Sequence, residues 1–233
     1  MDASITIDVE QDCPPFLRSY RGLEEGVPRL LALLAEEDVA ATFFATGETA
    51  RRFPDRVRRI VDLGHELGCH GDTHARFSRL GPAAARREID VASSTLRAFG
   101  EVTSFRAPNL DFPDSYLPFL RDAGYCLDSS EGRHKPSGWG RRDRVVDGIR
   151  RVPVAISPSA LRLPGPIRRL VLDRIGAAPV LFFHPWEFVD LRRTAIPLDC
   201  RFATGEGALR SLRAVIGDLR DRGATFVRLC DRA

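Results

Sequence analysis

Short apolar runs rich in β-branched and aromatic residues alternate along the chain with stretches of helical periodicity. The strand-like runs are ASITID (3–8), ATFFAT (41–46), HELGCH (65–70), VTSFRA (102–107), YCLD (125–128), RVPVAI (151–156), VLFFH (180–184) and TFVRL (225–229). Between them Leu23, Val27, Leu30, Leu31 and Leu34 recur at helical spacing, as do Ile89, Ala92, Leu96 and Phe99, and later Leu209, Leu212, Ile216 and Leu219. Such a β-then-α repeat predicts a parallel sheet covered by helices, either closed into a barrel or open and doubly wound. In both arrangements reactive side chains gather at the carboxyl ends of the strands.

Polar outliers stand at those ends. The first strand runs into Asp8-Val9-Glu10-Gln11-Asp12, three carboxylates that offer both a ligand and a base. The third delivers His70 and His74, whose spacing puts both on one side of a helix or of a strand and suits a metal, provided the chain supplies a third ligand. The fourth ends in Phe105-Arg106-Ala107-Pro108-Asn109, where the proline fixes a turn and the arginine can hold a carboxylate. The fifth ends in Asp128-Ser129-Ser130 and the seventh in Phe183-His184-Pro185-Trp186-Glu187; a histidine after four apolar residues reads as a strand-end residue facing a cleft. Taken singly, each has an ordinary reading as a solvated loop or a satisfied core group.

Composition narrows the picture. At 233 residues, with 43% hydrophobic and 29% charged residues, the chain fits a single α/β domain spanning residues 1–233. Its net charge is only +3, and its 34 arginines (Lys135 is the one lysine) are scattered among acids without a basic run, which argues against nucleic-acid binding. No apolar run approaches the about 18 residues of a membrane span. Met1 is followed almost at once by the first strand, without a secretory leader, so the sequence predicts a cytoplasmic protein. Five widely spaced cysteines without a CxxC argue against a disulfide framework and a cysteine zinc site. The longest irregular section, roughly Glu131 to Arg150, carries Arg133, His134, Lys135, Trp139 and further arginines; it reads either as a loop covering the substrate and receiving an anionic group or as an ordinary solvated loop.

Taken in order, these motifs resemble those of the polysaccharide deacetylase family, the hydrolases that share the NodB homology domain, from about Ile5 to His184. The resemblance implies a distorted (β/α) barrel of seven or eight mostly parallel strands and metal-dependent hydrolysis of an N-acyl, usually N-acetyl, group on a sugar. By the family's pattern Asp8 is the base, a later carboxylate of the same motif joins His70 and His74 around one divalent ion, and His184 is the acid. Arg106 orients Asp8, Asp128 tunes His184, and the backbone N–H of Asn109 donates to the oxyanion. Zinc suits two histidines and a carboxylate, as do cobalt, nickel and iron.

The chain departs from the family where it reads Asp-Val-Glu-Gln-Asp in place of adjacent aspartates, which leaves Glu10 or Asp12 as the carboxylate ligand. Strand alternation favours Glu10, which shares a face with Asp8. Asn109 replaces the usual aromatic residue after Arg-x-Pro, and a tryptophan common near the Asp-Ser segment is missing, a wall that Trp186 can replace. The expected activity is N-deacetylation of a small, nucleotide-linked or lipid-linked N-acetyl sugar. The alternatives are a deformylase or other amide hydrolase on the same fold, and a catalytically silent sugar-binding barrel.

Overall fold

The structure is a computed structural model that describes residues 1–176 and 178–232. Strand β1 (Asp2–Val9) lies within the sheet and is buried along nearly its whole length. Its alternation sorts two environments: Ala3, Ile5, Ile7 and Val9 face the surrounding helices in the main apolar core, whereas the buried Ser4, Thr6 and Asp8 occupy the other face. β2 (Thr42–Ala45) and β3 (Glu66–Cys69) follow in parallel, with Thr6 opposite Thr42, Asp8 opposite Phe44, and Phe44 opposite Gly68. Phe43 packs outward and Phe44 inward. A Cβ at Gly68 would stand 2.6 Å from the Phe44 ring, so glycine is what lets that ring fill the interior.

β4 (Ser104–Phe105) and β5 (Leu127–Asp128) extend the parallel sheet. Then comes an antiparallel hairpin of β6 (Arg144–Val146) and β7 (Ile149–Arg151), with β7 parallel to β5. The chain next crosses to the far side of β1 to form β8 (Val180–Phe183), and β9 (Thr225–Phe226) pairs with the start of β1. The order β6-β7-β5-β4-β3-β2-β1-β8 curls into a distorted (β/α) barrel. Its two sides meet where Val154 bridges Gly132 and the Ala155 N–H donates to the Val180 carbonyl at 2.8 Å. Phe44, Leu127, Val152, Val154, Val180 and Phe182 form a separate inner apolar cluster.

The hairpin lies inside the section read from sequence as irregular. Its turn, Asp147-Gly148, has φ of 51° and 80°, the left-handed pair that an Asp-Gly hairpin turn demands. The expected strand at 151–156 is correspondingly shorter: β7 stops at Arg151 and only Val154 makes a further bridge, because Pro153 has no N–H for a ladder.

The three helical patterns correspond to Val27–Glu36, Pro82–Arg97 and Glu206–Arg220. Ile89, Ala92 and Leu96 are buried as the spacing predicts, and Phe99 lies just beyond its helix. No described helix is long and apolar enough to cross a membrane.

Candidate active site

At the carboxyl end of β1 the chain continues its alternation past the last strand residue, so the Glu10 carboxylate follows Asp8 toward one cleft. There Glu10 Oε2 stands 3.2 Å from His70 Nε2 and 2.6 Å from His74 Nε2. His70 comes directly off β3, and its Nδ1–H donates to the Arg106 carbonyl at 2.7 Å. That bond orients the ring and aims Nε2 at Glu10. His74 is reached through a left-handed residue conformation (φ 60°) that turns the loop back over the strand end.

Two imidazole nitrogens and one carboxylate oxygen thus lie within 4.8 Å of one another. Bonds of about 2.0–2.1 Å in a tetrahedral zinc site separate the ligand atoms by roughly 3.3 Å. The donor types, spacing and burial therefore fit a divalent ion. The electrostatics fit as well. Burial alone would raise the Glu10 pKa, yet the charge of His74 and hydrogen bonds from both histidines hold it far below the ordinary carboxylate range. Burial lowers the His74 pKa, but the Glu10 carboxylate outweighs it and raises the net value.

Asp8 and Arg106 form a pair beside this group. Arg106 is fully buried inside the barrel, stacked 4.3 Å over the Phe44 ring. Its Nη1 donates to Asp8 Oδ1 at 2.7 Å and to Thr6 Oγ1 at 2.8 Å, while Nε and Nη2 reach the carbonyl and hydroxyl of Ser129. Among the described residues nothing donates to Asp8 Oδ2, and Asp8 lines the cleft. Asn109 lines it too, in a left-handed conformation (φ 61°) just past Pro108.

His184, at the end of β8, closes the group with its Nε2 3.8 Å from Glu10 Oε1. Its carboxylate partner corrects the expectation drawn from sequence. Asp128 accepts from Arg151 Nε at 2.8 Å and from the Ser130 hydroxyl, and Ser130 in turn holds the Ala107 N–H. Asp128 therefore braces the turn after Arg106. Burial raises its pKa above the ordinary value despite Arg151.

The residue on His184 is Glu187, whose Oε1 accepts from both the Nδ1–H and the backbone N–H of His184, each at 2.9 Å. The opposite oxygen accepts from Arg162 at 2.8 Å. Although burial disfavours the imidazolium, the Glu187 hydrogen bond and the charges of Glu10 and Glu187 push the His184 pKa up to about 9. A carboxylate three residues after a strand-end residue that opens a helical turn is a capping-box signal, and it would have pointed to Glu187. Trp186 stacks on the His184 ring at 4.8 Å and is only 5% exposed, so it backs the histidine as much as it walls the cleft.

Asp12, the alternative ligand, is not brought to the group. Its Oδ2 accepts from Ser19 Oγ at 2.7 Å and the Arg21 N–H at 2.8 Å, and its Oδ1 accepts from the Gly22 N–H at 2.8 Å. It anchors the helical turn Gly22–Gly26 that leads into the helix Val27–Glu36, where a Cβ on Gly22 would stand 2.6 Å from the Trp186 backbone nitrogen. Asp12→Ala removes the acceptor of three donors, of which the Gly22 N–H is fully buried, and is expected to cost about 1–3 kcal/mol of stability. Metal stoichiometry should not change. Thermal melts together with metal analysis check both halves.

Comparison with known proteins adds to this geometry. The polysaccharide deacetylase family profile matches residues 4–127, a span that holds Asp8, Glu10, His70, His74 and Arg106 and stops before Asp128 and His184. A chitooligosaccharide deacetylase from Sinorhizobium fredii is 33% identical over 127 residues, covering 52% of this chain and 58% of the relative. A peptidoglycan deacetylase from Helicobacter pylori is 32% identical over 118 residues, covering 47% and 39%. The chain spans about half the length of these relatives. Among solved structures, a CE4 family pseudoenzyme from Bacillus anthracis has a TM-score of 0.67 at 18% identity, covering 98% of this chain and 64% of that one, a likeness of fold alone. With over half of its length inside the family profile, and with the barrel to match, the chain belongs to the polysaccharide deacetylase family.

Proposed function

We propose that this chain is one catalytic domain of a metal-dependent hydrolase that removes the N-acetyl group from a small, nucleotide-linked or lipid-linked amino sugar. The observation that carries the reading is the Glu10–His70–His74 group with Asp8 beside it and His184 facing it across 3.8 Å. Glu10, His70 and His74 would hold the ion, with zinc the best-suited metal. A bound ion of this kind polarises an amide carbonyl and lowers the pKa of water from 15.7 toward about 7.

The chain's own residues supply the remaining steps. Asp8, fixed through Oδ1 by Arg106, keeps Oδ2 for the proton of the attacking water. The Asn109 backbone N–H donates to the oxyanion as it forms. His184, oriented by Glu187 through Nδ1 and with its pKa raised by that carboxylate, delivers a proton to the departing nitrogen.

Glu187→Gln is expected to lower kcat on amide substrates about tenfold or more, on the scale of an orienting carboxylate beyond the reacting groups, with KM little changed. The defect should shrink on an activated acetyl ester, whose leaving group needs no proton. Steady-state kinetics on both substrates test this, and equal impairment would contradict it. The reading as a whole is tested by incubating zinc-loaded protein with a panel of N-acetyl sugars and seeking the free amine by mass spectrometry. Release from none of them would overturn it.

A further inference from the structure

One wall of the cleft carries charge that the proposed reaction does not use. Glu10 and Asp8 line the cavity, of about 230 Å³, on the β1 side, while Arg76, His134 and Lys135 line it around Asn109. Lys135 is the only lysine in the chain and is half-buried. Its ammonium donates to the Asn109 carbonyl, and among the described residues no carboxylate lies within ion-pair distance of it. Burial and the neighbouring Arg76 charge lower its pKa against the longer-range pull of Asp111. Arg76 converges on the same residue: its Nη2 donates to Asn109 Oδ1 at 3.3 Å, and its Nε stands 3.7 Å from Asp111 Oδ2.

A partly desolvated ammonium whose partner is a neutral carbonyl costs free energy that a counter-anion would recover. One small cavity holds both walls, so a sugar whose acyl amide lies at Glu10 has its other substituents in the same cavity as Lys135 and Arg76. We propose that Lys135 and Arg76 form a subsite for a phosphate group on the N-acyl sugar, whether that phosphate leads to a nucleotide or to a lipid. This rests on the deacetylase reading given above. Phosphate fits better than carboxylate because the planar fork of Arg76 is already engaged by Asn109 and Asp111. What remains is a point charge plus one guanidinium edge, which suits a tetrahedral group with several acceptor oxygens.

The test compares zinc-loaded wild type with the Lys135→Met, Arg76→Gln double variant. The substrates are N-acetylglucosamine 1-phosphate, its uridine diphosphate, a short prenyl pyrophosphate-linked form, N-acetylmuramic acid and neutral diacetylchitobiose. The wild type should prefer the phosphorylated sugars over chitobiose, and the double variant should lose about tenfold or more in kcat/KM on them, mainly through KM, with a clearly smaller loss, carried by kcat, on chitobiose. A preference between the nucleotide and prenyl forms identifies the source, and equal use supports recognition of the phosphate alone. Equal kcat/KM on phosphorylated and neutral sugars, equal loss on both, or preference for the muramic carboxylate would overturn the subsite. If no substrate releases acetate, the deacetylase reading fails on its own. Calorimetry with N-acetylglucosamine 1-phosphate then decides the subsite: about tenfold weaker binding by the double variant supports it, and unchanged or absent binding overturns it.

Discussion

Asp8→Asn is expected to lower kcat by about 10²–10⁴-fold while a divalent ion stays bound. Asparagine keeps the shape and can still accept from Arg106 through its oxygen, but the amide cannot take a proton from water. The proposed ligand group of Glu10, His70 and His74 does not include Asp8, so metal content should match the wild type. The substitution also leaves the fully buried Arg106 without its charge partner, with Thr6 and Ser129 as remaining acceptors. Loss of one member of a buried pair costs on the order of 3–5 kcal/mol, so the variant should melt earlier, and its kinetics belong well below that transition. Metal analysis and steady-state rates on the same preparation check the prediction. Near-normal kcat would remove Asp8 from the role of base.

The paired substitution of His70→Ala and His74→Ala should reduce bound metal from about one equivalent to near zero, and turnover to background. Two of the three proposed ligands are lost outright, and the third is weakened. Burial raises the Glu10 pKa, and the two histidines are the groups that chiefly hold it down, so without them it moves upward and the carboxylate becomes a poorer ligand. The remaining barrel should persist, because Glu10, His70 and His74 lie at the strand ends beyond the ladder.

The same charges set a pH dependence in the wild type. Glu10 raises the His74 pKa above its ordinary 6.5, and a metal must displace that proton. Apparent metal affinity should therefore be full above the raised value and fall as pH drops through it. Metal titrations at several pH values, with circular dichroism on the double variant, test both statements. Full occupancy in the double variant would place the ion elsewhere.

Strand periodicity carried much of this site. Alternation along β1 already put Glu10 on the face of Asp8, and Asp12 proved to be occupied by backbone N–H groups that no sequence spacing reveals. His70 and His74 were legible from their spacing, whereas the Arg106 carbonyl that orients the His70 ring was not, because it depends on how β3 and β4 lie side by side. The partner of His184 was misread. Asp128 stands at a strand end, as the strand pattern predicted, but the buried Arg151, delivered by a hairpin absent from the sequence reading, draws it away. A local turn gives Glu187 the task instead. Lys135 stood out as the only lysine, but its position beside Asn109 is a tertiary fact.

The most direct measurement is acetate release from a phosphorylated N-acetylglucosamine by protein stripped with a chelator and then reloaded with zinc. Acetate and free amine should appear in equal amounts only after reloading, and the His70→Ala, His74→Ala variant should show no response to zinc. Equal acetate release by the stripped protein, or none from the reloaded wild type, would contradict metal-dependent deacetylation at this site.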